Sequence, residues 1–536
     1  MEDEIDQYGK YIAKISSSAL QKLQQRFSHQ KEIWKLILVT AITPTSAWEG
    51  KSTVSIGLAD WLRKIWKKSV LALREPSLWP CFWIKWWACW WWMAQIVPME
   101  KINLHFTGDL HAITSANNLI SAIIDNHLYH GNELQIDPKT ITRNRCIDLN
   151  DRFLRKIKIW LWWGTNGIER DESFCITAAS EIMAILCLSQ TLDDLRNRID
   201  NIIIGKDIEG NQIFFRSFQS TWAIVALLED ALRPNLVQTL EWTPAFVHGG
   251  PFANIAHGCN SINATICALA TWEYVVTEAW FGADLGAEKF FDIKCQLNHL
   301  KPDACIIVAT IRALKMHGGI SKENLNQENI EALKKGFRNL RVHIDNIQKF
   351  WMKPLVAINK FISDTPDEIF VLQSLCKELG VQALITECRE KWGDGAIDLA
   401  NAVCDSIQKG ESEFSPLYNF SLPLEIKIER IATEIYHAKE VIFSDKAKEQ
   451  ITLFKKLWYD SLPVCIAKTQ NSLSHDKKLL WAPQDYLFPI RELKLYHGAW
   501  FIVALSGNII TMPWLPKEPA SMNIDFDTNG LLVWLS

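Results

Sequence analysis

The feature that most constrains the fold is a short apolar run that leads through a turn into Gly-Lys-Ser-Thr. Residues 36–41 read Leu-Ile-Leu-Val-Thr-Ala, and Gly50 to Thr53 open a helical pattern. A strand, a turn and a helix start in this order are typical of a phosphate-binding loop, because backbone N–H groups at a helix N-terminus hold phosphate oxygens. The pattern predicts that Lys51 contacts the outer phosphates of a nucleotide and that Ser52 holds Mg²⁺. Trp48 lies where the backbone must approach the phosphates, a position suited to glycine.

The rest of the chain alternates between short apolar runs and helical patterns, which favours the α/β class. We expect a P-loop NTPase-like parallel sheet flanked by helices, with the site at the carboxyl ends of its strands. Predicted strands cover 69–76, 102–109, 274–278, 305–310, 355–361 and 383–388. Predicted helices cover 326–350, 366–379 and 395–407, and residues 1–35 are predicted to be mainly helical.

At 536 residues the chain is too long for a single hydrophobic core. We predict a discontinuous nucleotide-binding α/β domain from residues 1–110 and 320–408. Residues 111–319 are predicted to form a second α/β domain that contributes to the active-site cleft. The composition turns polar at Lys409-Gly410-Glu411, so residues 409–536 are predicted to form a smaller C-terminal α+β domain.

Charge and cysteine content narrow the partners and the compartment. A net charge of −4 argues against nucleic acid or an anionic membrane as a main partner. Residues 83–97 are the only membrane-like stretch; they fall short of the roughly 18 apolar residues of a span and include Lys85. The acidic N-terminus lacks the apolar segment of a signal peptide, and the 13 cysteines are scattered without a Cys-x-x-Cys pair. These features predict a reduced, cytoplasmic protein.

Several longer motifs occur together and are more specific than the phosphate loop alone. They are Thr43 to Thr53, Arg74-Glu75-Pro76-Ser77-Leu78, Asn103-Leu104-His105-Phe106-Thr107-Gly108-Asp109, His111 to Asn118, Thr243 to Ser261, Phe281 to Phe291 and Leu462 to Gln470. Through these runs the chain resembles the formate–tetrahydrofolate ligase (10-formyltetrahydrofolate synthetase) family over nearly its whole length.

The resemblance implies an enzyme that ligates formate to tetrahydrofolate at the expense of ATP. Formate attacks the γ-phosphate to give formyl phosphate, and the folate amine then takes the formyl group, leaving ADP and phosphate. Lys51, Arg74 and Glu75 are the implied catalytic residues. Arg74 suits bidentate capture of formate or formyl phosphate, and Glu75 would orient the folate or accept its amine proton. A structural ion pair at a strand end is the alternative for Arg74 and Glu75.

The resemblance also assigns binding residues. The ATP-binding set is Thr45, Ser46, Ala47, Trp48, Glu49, Gly50, Lys51 and Ser52, with Mg²⁺ held at Ser52 through ATP. The folate set is Glu75, Phe281, Phe361 and Arg389, in which the two phenylalanines would sandwich the pterin ring.

Two departures from the family pattern affect the folate set. Ile362 follows Phe361 where the family usually has proline, and Arg389 lies in a segment that often carries tryptophan. An arginine plane also stacks on a ring, so folate binding is altered in detail rather than excluded.

Two histidines, His111 and His248, lie at a helix start and in a glycine turn. Each is a candidate for phosphate binding or proton shuttling, and a structural histidine that caps a turn is the equal alternative. ATP and Mg²⁺ are the implied cofactors, with a monovalent cation (K⁺ or NH₄⁺) by resemblance. Formate and tetrahydrofolate, which the resemblance allows to be polyglutamylated, are the implied substrates, and a homotetramer is the implied assembly.

Tryptophan is unusually abundant, with 25 copies against 24 glycines. Many of the tryptophans fall where the resembled family has glycine, including Trp48, Trp79, Trp83, Trp86, Trp87, Trp90, Trp91, Trp92, Trp160, Trp162, Trp163, Trp280, Trp500 and Trp514. One explanation is a UGA codon that some bacteria read as glycine and other codes read as tryptophan. This hypothesis predicts tryptophans in glycine-type turns, some with positive φ.

Three alternatives remain to this function, and the first and third of them require that the tryptophans are native. The chain would then be a catalytically impaired P-loop scaffold or binding protein, because bulky rings would crowd the phosphates and the pocket. A P-loop ligase for another small carboxylate is the second alternative. The third is a tryptophan-rich surface for carbohydrate or lipid interfaces, which the lack of period 2 or 3.6 among the tryptophans disfavours.

Overall fold

A computed structural model describes residues 4–29, 34–47, 49–83, 94–160, 168–507, 509–528, 530 and 532–534. Eight tryptophans of the sequence motifs therefore lie outside the described residues: Trp48, Trp86, Trp87, Trp90, Trp91, Trp92, Trp162 and Trp163. Within the described part of the chain, no helix is long and apolar enough to cross a bilayer.

The described strands are short and are numbered here in chain order. They are β1 (Ile5–Gln7), β2 (Ala13–Ile15), β3 (Lys35–Ala41), β4 (Ser69–Leu73), β5 (Ile96–Val97), β6 (Arg145–Ile147), β7 (Ile157–Ile159), β8 (Arg170–Glu172), β9 (Phe174–Ile176), β10 (Ile203–Lys206), β11 (Gln212–Phe214), β12 (Asn235–Thr239), β13 (Pro244–Val247), β14 (Tyr274–Glu278), β15 (Ala304–Ala309), β16 (Pro354–Asn359), β17 (Ala383–Thr386), β18 (Glu440–Phe443), β19 (Val464–Ala467), β20 (Leu487–Ile490), β21 (Glu492–Tyr496), β22 (Phe501–Leu505), β23 (Ile524–Phe526) and β24 (Leu532–Trp534).

The described α-helices are numbered in the same way. They are α1 (Ser17–His29), α2 (Lys51–Lys64), α3 (Trp79–Trp83), α4 (Met99–Asn103), α5 (Asp109–Tyr129), α6 (Glu181–Leu188), α7 (Leu192–Asp200), α8 (Thr221–Leu228), α9 (Ile262–Thr271), α10 (Gln296–Asn298), α11 (Ile311–His317), α12 (Ile330–Gln348), α13 (Pro366–Glu378), α14 (Cys388–Lys391), α15 (Ile397–Lys409), α16 (Leu424–Arg430) and α17 (Asp445–Lys456).

One large sheet organises residues 5–386. Its strand order is β1-β2-β12-β13-β4-β14-β3-β15-β16-β17, with β5 paired to β12. From β13 to β17 all neighbours are parallel, and the edge formed by β1, β2 and β12 is antiparallel. The predicted α/β class with a parallel-rich sheet flanked by helices is confirmed. The sheet takes strands from both of the first two predicted domains.

Apolar residues on both faces of the sheet hold the helices against it. Along β3, Leu36 and Leu38 belong to one core cluster, and the alternating residues Ile37, Val39 and Ala41 belong to another. Successive side chains of a strand point to opposite faces, so both faces of β3 are buried. This two-sided burial explains why the strand reads as a continuous apolar run rather than an alternating one.

Two sequence predictions of secondary structure are wrong. Residues 102–109 were predicted as a strand, but they contain the end of α4, a turn and the start of α5. Asp109 is the first residue of α5, and its buried carboxylate forms an ion pair with the buried Lys14 ammonium at 2.8 Å. This contact joins distant parts of the chain, so local strand propensity could not predict it. Residues 1–35 contain the hairpin β1–β2 besides α1, because β2 pairs with β12 and so extends the large sheet.

The C-terminal region builds smaller sheets next to the main one. Strands β19, β22 and β21 form one sheet, and β18 pairs with β20 in another. Helices α16 and α17 pack on these strands. Lys468, directly after β19, forms a buried ion pair with Asp284 at 2.7 Å and so ties this region to the segment that follows β14.

Candidate active site

The loop 42–50 between β3 and α2 is fixed by side chains from several elements. The Thr43 hydroxyl accepts from Asn339 Nδ2 at 2.9 Å and lies 3.0 Å from His343 Nε2, both on α12. His317 Nε2 at the end of α11 lies 3.1 Å from the Thr43 carbonyl. At the other end of the loop, Asn359 Nδ2 on β16 donates to the Glu49 carbonyl at 3.0 Å. These buried contacts set the path of the backbone into α2.

The predicted ATP-binding residues line this loop and the first turn of α2. Gly50 precedes the helix with φ 76°, a left-handed conformation that glycine adopts without strain. The buried Glu49 carboxylate accepts from the Thr45 backbone N–H at 2.8 Å and from its hydroxyl at 3.2 Å. Ala47 is buried and Ser46 is exposed, while Trp48 lies outside the described residues.

Lys51 and Ser52 meet a carboxylate that the sequence analysis did not select. Ser52 Oγ donates to Glu278 Oε2 at 2.9 Å, and Glu278 is the last residue of β14, the neighbour of β3. Burial lowers the pKa of Lys51, which Glu49 and Glu278 oppose by favouring the charged ammonium. Burial raises the pKa of Glu278, against the opposing effects of Lys51, Ser52 and Arg74. Among the described residues, Glu278 Oε1 has no hydrogen-bond partner.

Arg74 and Glu75 follow β4 and are both buried. Arg74 donates to the Pro251 carbonyl at 2.7 Å, and the Glu75 N–H donates to the Gly249 carbonyl at 3.0 Å. Gly250 lies so close that a Cβ there would approach the Glu75 carbonyl oxygen to 2.4 Å, so the glycine turn is needed for this packing. Burial lowers the pKa of Arg74 to about 10, and burial together with Asp109 raises that of Glu75 well above its ordinary value.

Phe281 lies just beyond β14 and is stacked by its neighbour Trp280. Their ring centroids are 4.6 Å apart with an angle of 7° between the planes. The Arg74 guanidinium carbon lies 4.0 Å from the centroid of the Trp280 ring. One indole therefore covers both a predicted folate-binding ring and the predicted formate-binding arginine.

Phe361, just beyond β16, is buried and lies near two guanidinium groups. Arg389 on α14 is 5.5 Å from the ring centroid and Arg312 on α11 is 5.1 Å from it. Arg312 was not selected from the sequence, because its distance to Phe361 depends on the pairing of β15 with β16. Ile362 is 88% exposed, so the residue in place of the family proline points to solvent.

The two candidate histidines differ in environment. His248 is fully buried between Ser261 Oγ at 2.6 Å from Nδ1 and the Ala231 carbonyl at 2.6 Å from Nε2, and burial lowers its pKa to about 4. Both ring nitrogens thus bind protein groups, the arrangement of a structural histidine. His111 is exposed on α5, and its Nε2 lies 2.7 Å from His105 Nδ1.

Strand ends at one edge of a parallel sheet bring Lys51, Arg74, Glu278, Phe281 and Phe361 to the same side of the molecule. Comparison with models of known protein families gives a match over the whole chain. The family model described as formate–tetrahydrofolate ligase matches residues 1–536, the whole chain. The chain belongs to the formate–tetrahydrofolate ligase family.

This membership makes the protein a ligase that acts on formate and tetrahydrofolate in an ATP-dependent reaction. The sequence did not predict two side chains at this site, Glu278 and Arg312. The residues around them in the sequence give only weak signs of a functional role. A carboxylate that ends an apolar strand is one such signal for Glu278. Its importance, however, depends on β14 lying beside β3, and β14 and β3 are far apart in the chain.

Proposed function

We propose that ATP binds at loop 42–50. The described residues around its phosphates are Thr45, Ser46, Ala47, Glu49, Gly50, Lys51 and Ser52. Support comes from Gly50 at the start of α2 and from the side chains of α11, α12 and β16 that fix the loop. Free N–H groups at a helix N-terminus favour an anion. The Lys51 ammonium neutralises charge on the outer phosphates, which phosphoryl transfer requires.

Mg²⁺ fits the pair Ser52 and Glu278. Magnesium prefers oxygen ligands and is bound through one or two protein groups plus phosphate oxygens. The buried Glu278 carboxylate has one oxygen on Ser52 and, within the described chain, one oxygen without a partner. The ion supplies neutralisation of phosphate charge when it is bound. These two residues would hold it at the end of β14.

The formate oxygen attacks the γ-phosphorus of ATP, and the bond from phosphorus to the ADP oxygen breaks. Arg74 holds the formate carboxylate and then the formyl phosphate, since a guanidinium matches a planar anion with two donors. The folate amine next attacks the formyl carbon, and phosphate leaves with one oxygen of the original formate. Glu75 takes the amine proton; burial and the nearby Asp109 raise its pKa, which makes its carboxylate a stronger base.

The pterin ring of tetrahydrofolate lies against Phe281 and Phe361, with Arg389 beside the second ring. Flat aromatic systems gain from stacking with ring centroids 4.5–7 Å apart. The guanidinium groups of Arg312 and Arg389 lie near Phe361 and place two cations beside its ring. The homotetramer, the monovalent cation and the proton-shuttle role of His111 and His248 stay predictions.

The observation that carries the proposal is the cluster of Lys51, Ser52 and Glu278 beside Arg74 at one sheet edge. The test measures ADP release by two purified proteins. One has the printed sequence, and the other has glycine at all 25 tryptophan positions. We expect ADP release that requires both formate and tetrahydrofolate, and transfer of ¹⁸O from labelled formate to phosphate. Glu278→Gln should raise the Mg²⁺ concentration for half-maximal rate.

Unlabelled phosphate would overturn the formyl phosphate step, and ADP release without dependence on formate would overturn the assignment of the reaction to this site. A second function has one specific observation in its favour: Trp280 covers Phe281 and Arg74. With that indole in place, the written chain is an ATP-binding protein with impaired ligation. ATP binding without ligation in the written chain alone would support this second function.

A further inference from the structure

Many of the described tryptophans have a left-handed backbone conformation that favours glycine. Of the 17 tryptophans among the described residues (25 less the eight outside them), eight have φ between 55° and 68°: Trp66, Trp160, Trp242, Trp351, Trp392, Trp458, Trp481 and Trp500. Of the 24 phenylalanines, only Phe106 and Phe281 have positive φ within the described residues. Of the 24 glycines, 12 in the described part of the chain do. Positive φ is an outlier for a bulky side chain, so the tryptophans follow the pattern of glycine and not of another aromatic residue.

Two of these tryptophans complete a helix C-terminus that normally carries glycine. After α2, the N–H of Trp66 donates to the Arg63 carbonyl at 3.0 Å and that of Lys67 to the Leu62 carbonyl at 2.9 Å. After α17, Trp458 donates to Lys455 at 3.1 Å and Tyr459 donates to Phe454 at 2.9 Å. This pair of hydrogen bonds is the Schellman motif, which places a left-handed residue, usually glycine, at the position of the two tryptophans.

The same motif occurs in this chain with glycine. After α13, Gly380 (φ 71°) donates to Lys377 at 2.9 Å and Val381 donates to Cys376 at 3.0 Å. After α15, Gly410 (φ 63°) donates to Ile407 at 3.1 Å, and the next residue donates to Ser406 at 3.2 Å. The four helix ends match in hydrogen bonding and φ, and differ only in the side chain of the left-handed residue.

Buried indoles give a second, independent observation. The Nε1–H groups of Trp61, Trp79 and Trp83 are buried without a hydrogen-bond acceptor among the described residues. Buried tryptophan N–H groups usually find a partner, because leaving one unsatisfied is unfavourable. A backbone selected around glycine has no reason to provide such an acceptor.

We propose that the working form of this ligase carries glycine at its tryptophan positions, with one codon read as glycine in its source and as tryptophan in the written sequence. At position 280 the consequence is functional and rests on the proposed function above. The backbone there is fixed by the Trp280 N–H donating to Gly258 at 3.1 Å, and it packs closely on Gly286. With glycine at 280, the face of Phe281 and the guanidinium of Arg74 become open to substrate.

The first experiment compares the melting temperatures of full-length variants at one scan rate. Trp66→Gly with Trp458→Gly should raise Tm by roughly 2 °C, because a left-handed residue with a Cβ is strained. Trp66→Ala with Trp458→Ala removes the same indoles but keeps the Cβ, and should gain less. Gly380→Trp with Gly410→Trp should lower Tm. Equal Tm values for the glycine and alanine pairs would show that the left-handed conformation at positions 66 and 458 does not favour glycine, and would overturn the proposal at these positions.

The second experiment identifies the residue directly. Mass spectrometry of peptides from the source cells that span positions 66 and 458, together with the coding DNA, should show glycine and TGA codons. Tryptophan in those peptides overturns the proposal whatever the melting temperatures are.

The third experiment separates this proposal from the proposed function. The host has glycine at all 25 positions, and the comparison restores tryptophan at 280 alone. Restoring Trp280 should raise the Kd for tetrahydrofolate at least tenfold, measured by calorimetry, and leave the Kd for ATP unchanged. An unchanged tetrahydrofolate Kd overturns the role of position 280. If glycine is found in the native peptides but the glycine host is inactive, the proposed function fails and the glycine assignment stands.

Discussion

Two parts of the proposed site, both at the carboxyl ends of the parallel strands, are built in different ways. We call loop 42–50 with Ser52 and Glu278 the phosphate side, and Arg74 with Phe281 and Phe361 the ring side. On the phosphate side, loop 42–50 is fixed by polar side chains of α11, α12 and β16, and Ser52 contacts Glu278. On the ring side, Arg74 and Phe281 are both in contact with the indole of Trp280. The phosphate side is therefore held in place by hydrogen bonds within the protein. Access to the ring side depends on the size of the side chain at position 280.

The largest expected effect tests the phosphate side. In the host with glycine at all 25 positions, Lys51→Met should lower kcat about 10²–10³-fold, the usual loss when one charge-stabilising group is removed. Tm should change little, because burial already lowers the pKa of Lys51 and so disfavours its charged form. Steady-state kinetics with saturating ATP checks this.

The matched control for that experiment is Lys68→Met, since Lys68 is exposed beyond the end of α2. It should retain the parent kcat. A kcat within threefold of the parent for Lys51→Met would contradict the phosphate-side assignment and remove the basis of the comparison.

A smaller effect tests the ring side. Phe281→Leu in the same host should raise the Kd for tetrahydrofolate roughly 3- to 10-fold, the range of one aromatic stacking contact. The same change in the chain as written should have little effect, because Trp280 already covers the ring. Calorimetric titration of both chains with tetrahydrofolate measures this difference.

Phe361→Leu serves as the comparison within the ring side. It should raise the Kd for tetrahydrofolate and also lower Tm, because Phe361 is buried between strand ends. If Phe281→Leu raised the Kd for ATP and left the Kd for tetrahydrofolate unchanged, the division of the site into a phosphate side and a ring side would be wrong.

The smallest expected effect is a pH dependence of stability from the segment that carries Arg74. Asp148 is buried and accepts from the Leu78 N–H at 2.8 Å, and burial raises its pKa to about 7. A raised folded-state pKa means that the neutral carboxyl stabilises the fold fully below about pH 4, and that this contribution is lost as pH rises through 7. Asp148→Asn keeps an acceptor for Leu78 without the titration. The Tm of the parent relative to this variant should fall by a few degrees between pH 4 and 8.

An exposed aspartate provides the control for the pH experiment. Asp171 is 56% exposed, and Asp171→Asn should leave the pH profile of Tm unchanged. A constant difference between parent and Asp148→Asn across this range would show that Asp148 is ionised at all these pH values.

Local pattern was sufficient for much of the fold. The strand bounds at β3, β14, β15 and β16 and the helix bounds at α12, α13 and α15 lie within a few residues of those predicted. In each case an apolar run or a helical period of several turns carries the signal. The error at 102–109 arose where a short apolar stretch is helical because the start of the next helix is fixed by Lys14, almost a hundred residues earlier.

The sequence by itself determined the α/β class and, through motifs spread along the whole chain, the family. The candidate Lys51 came from the Gly-Lys-Ser-Thr pattern after an apolar strand, and the candidates Arg74 and Phe281 came from the resemblance to that family. It also raised the question of the tryptophans, since the chain has 25 of them against 24 glycines. Only the tertiary structure decided that Glu278 faces Ser52, that Arg312 lies near Phe361, and that Trp280 covers Arg74 and Phe281. Those contacts depend on strand order and on φ, and both are set by packing between residues that are distant in the chain.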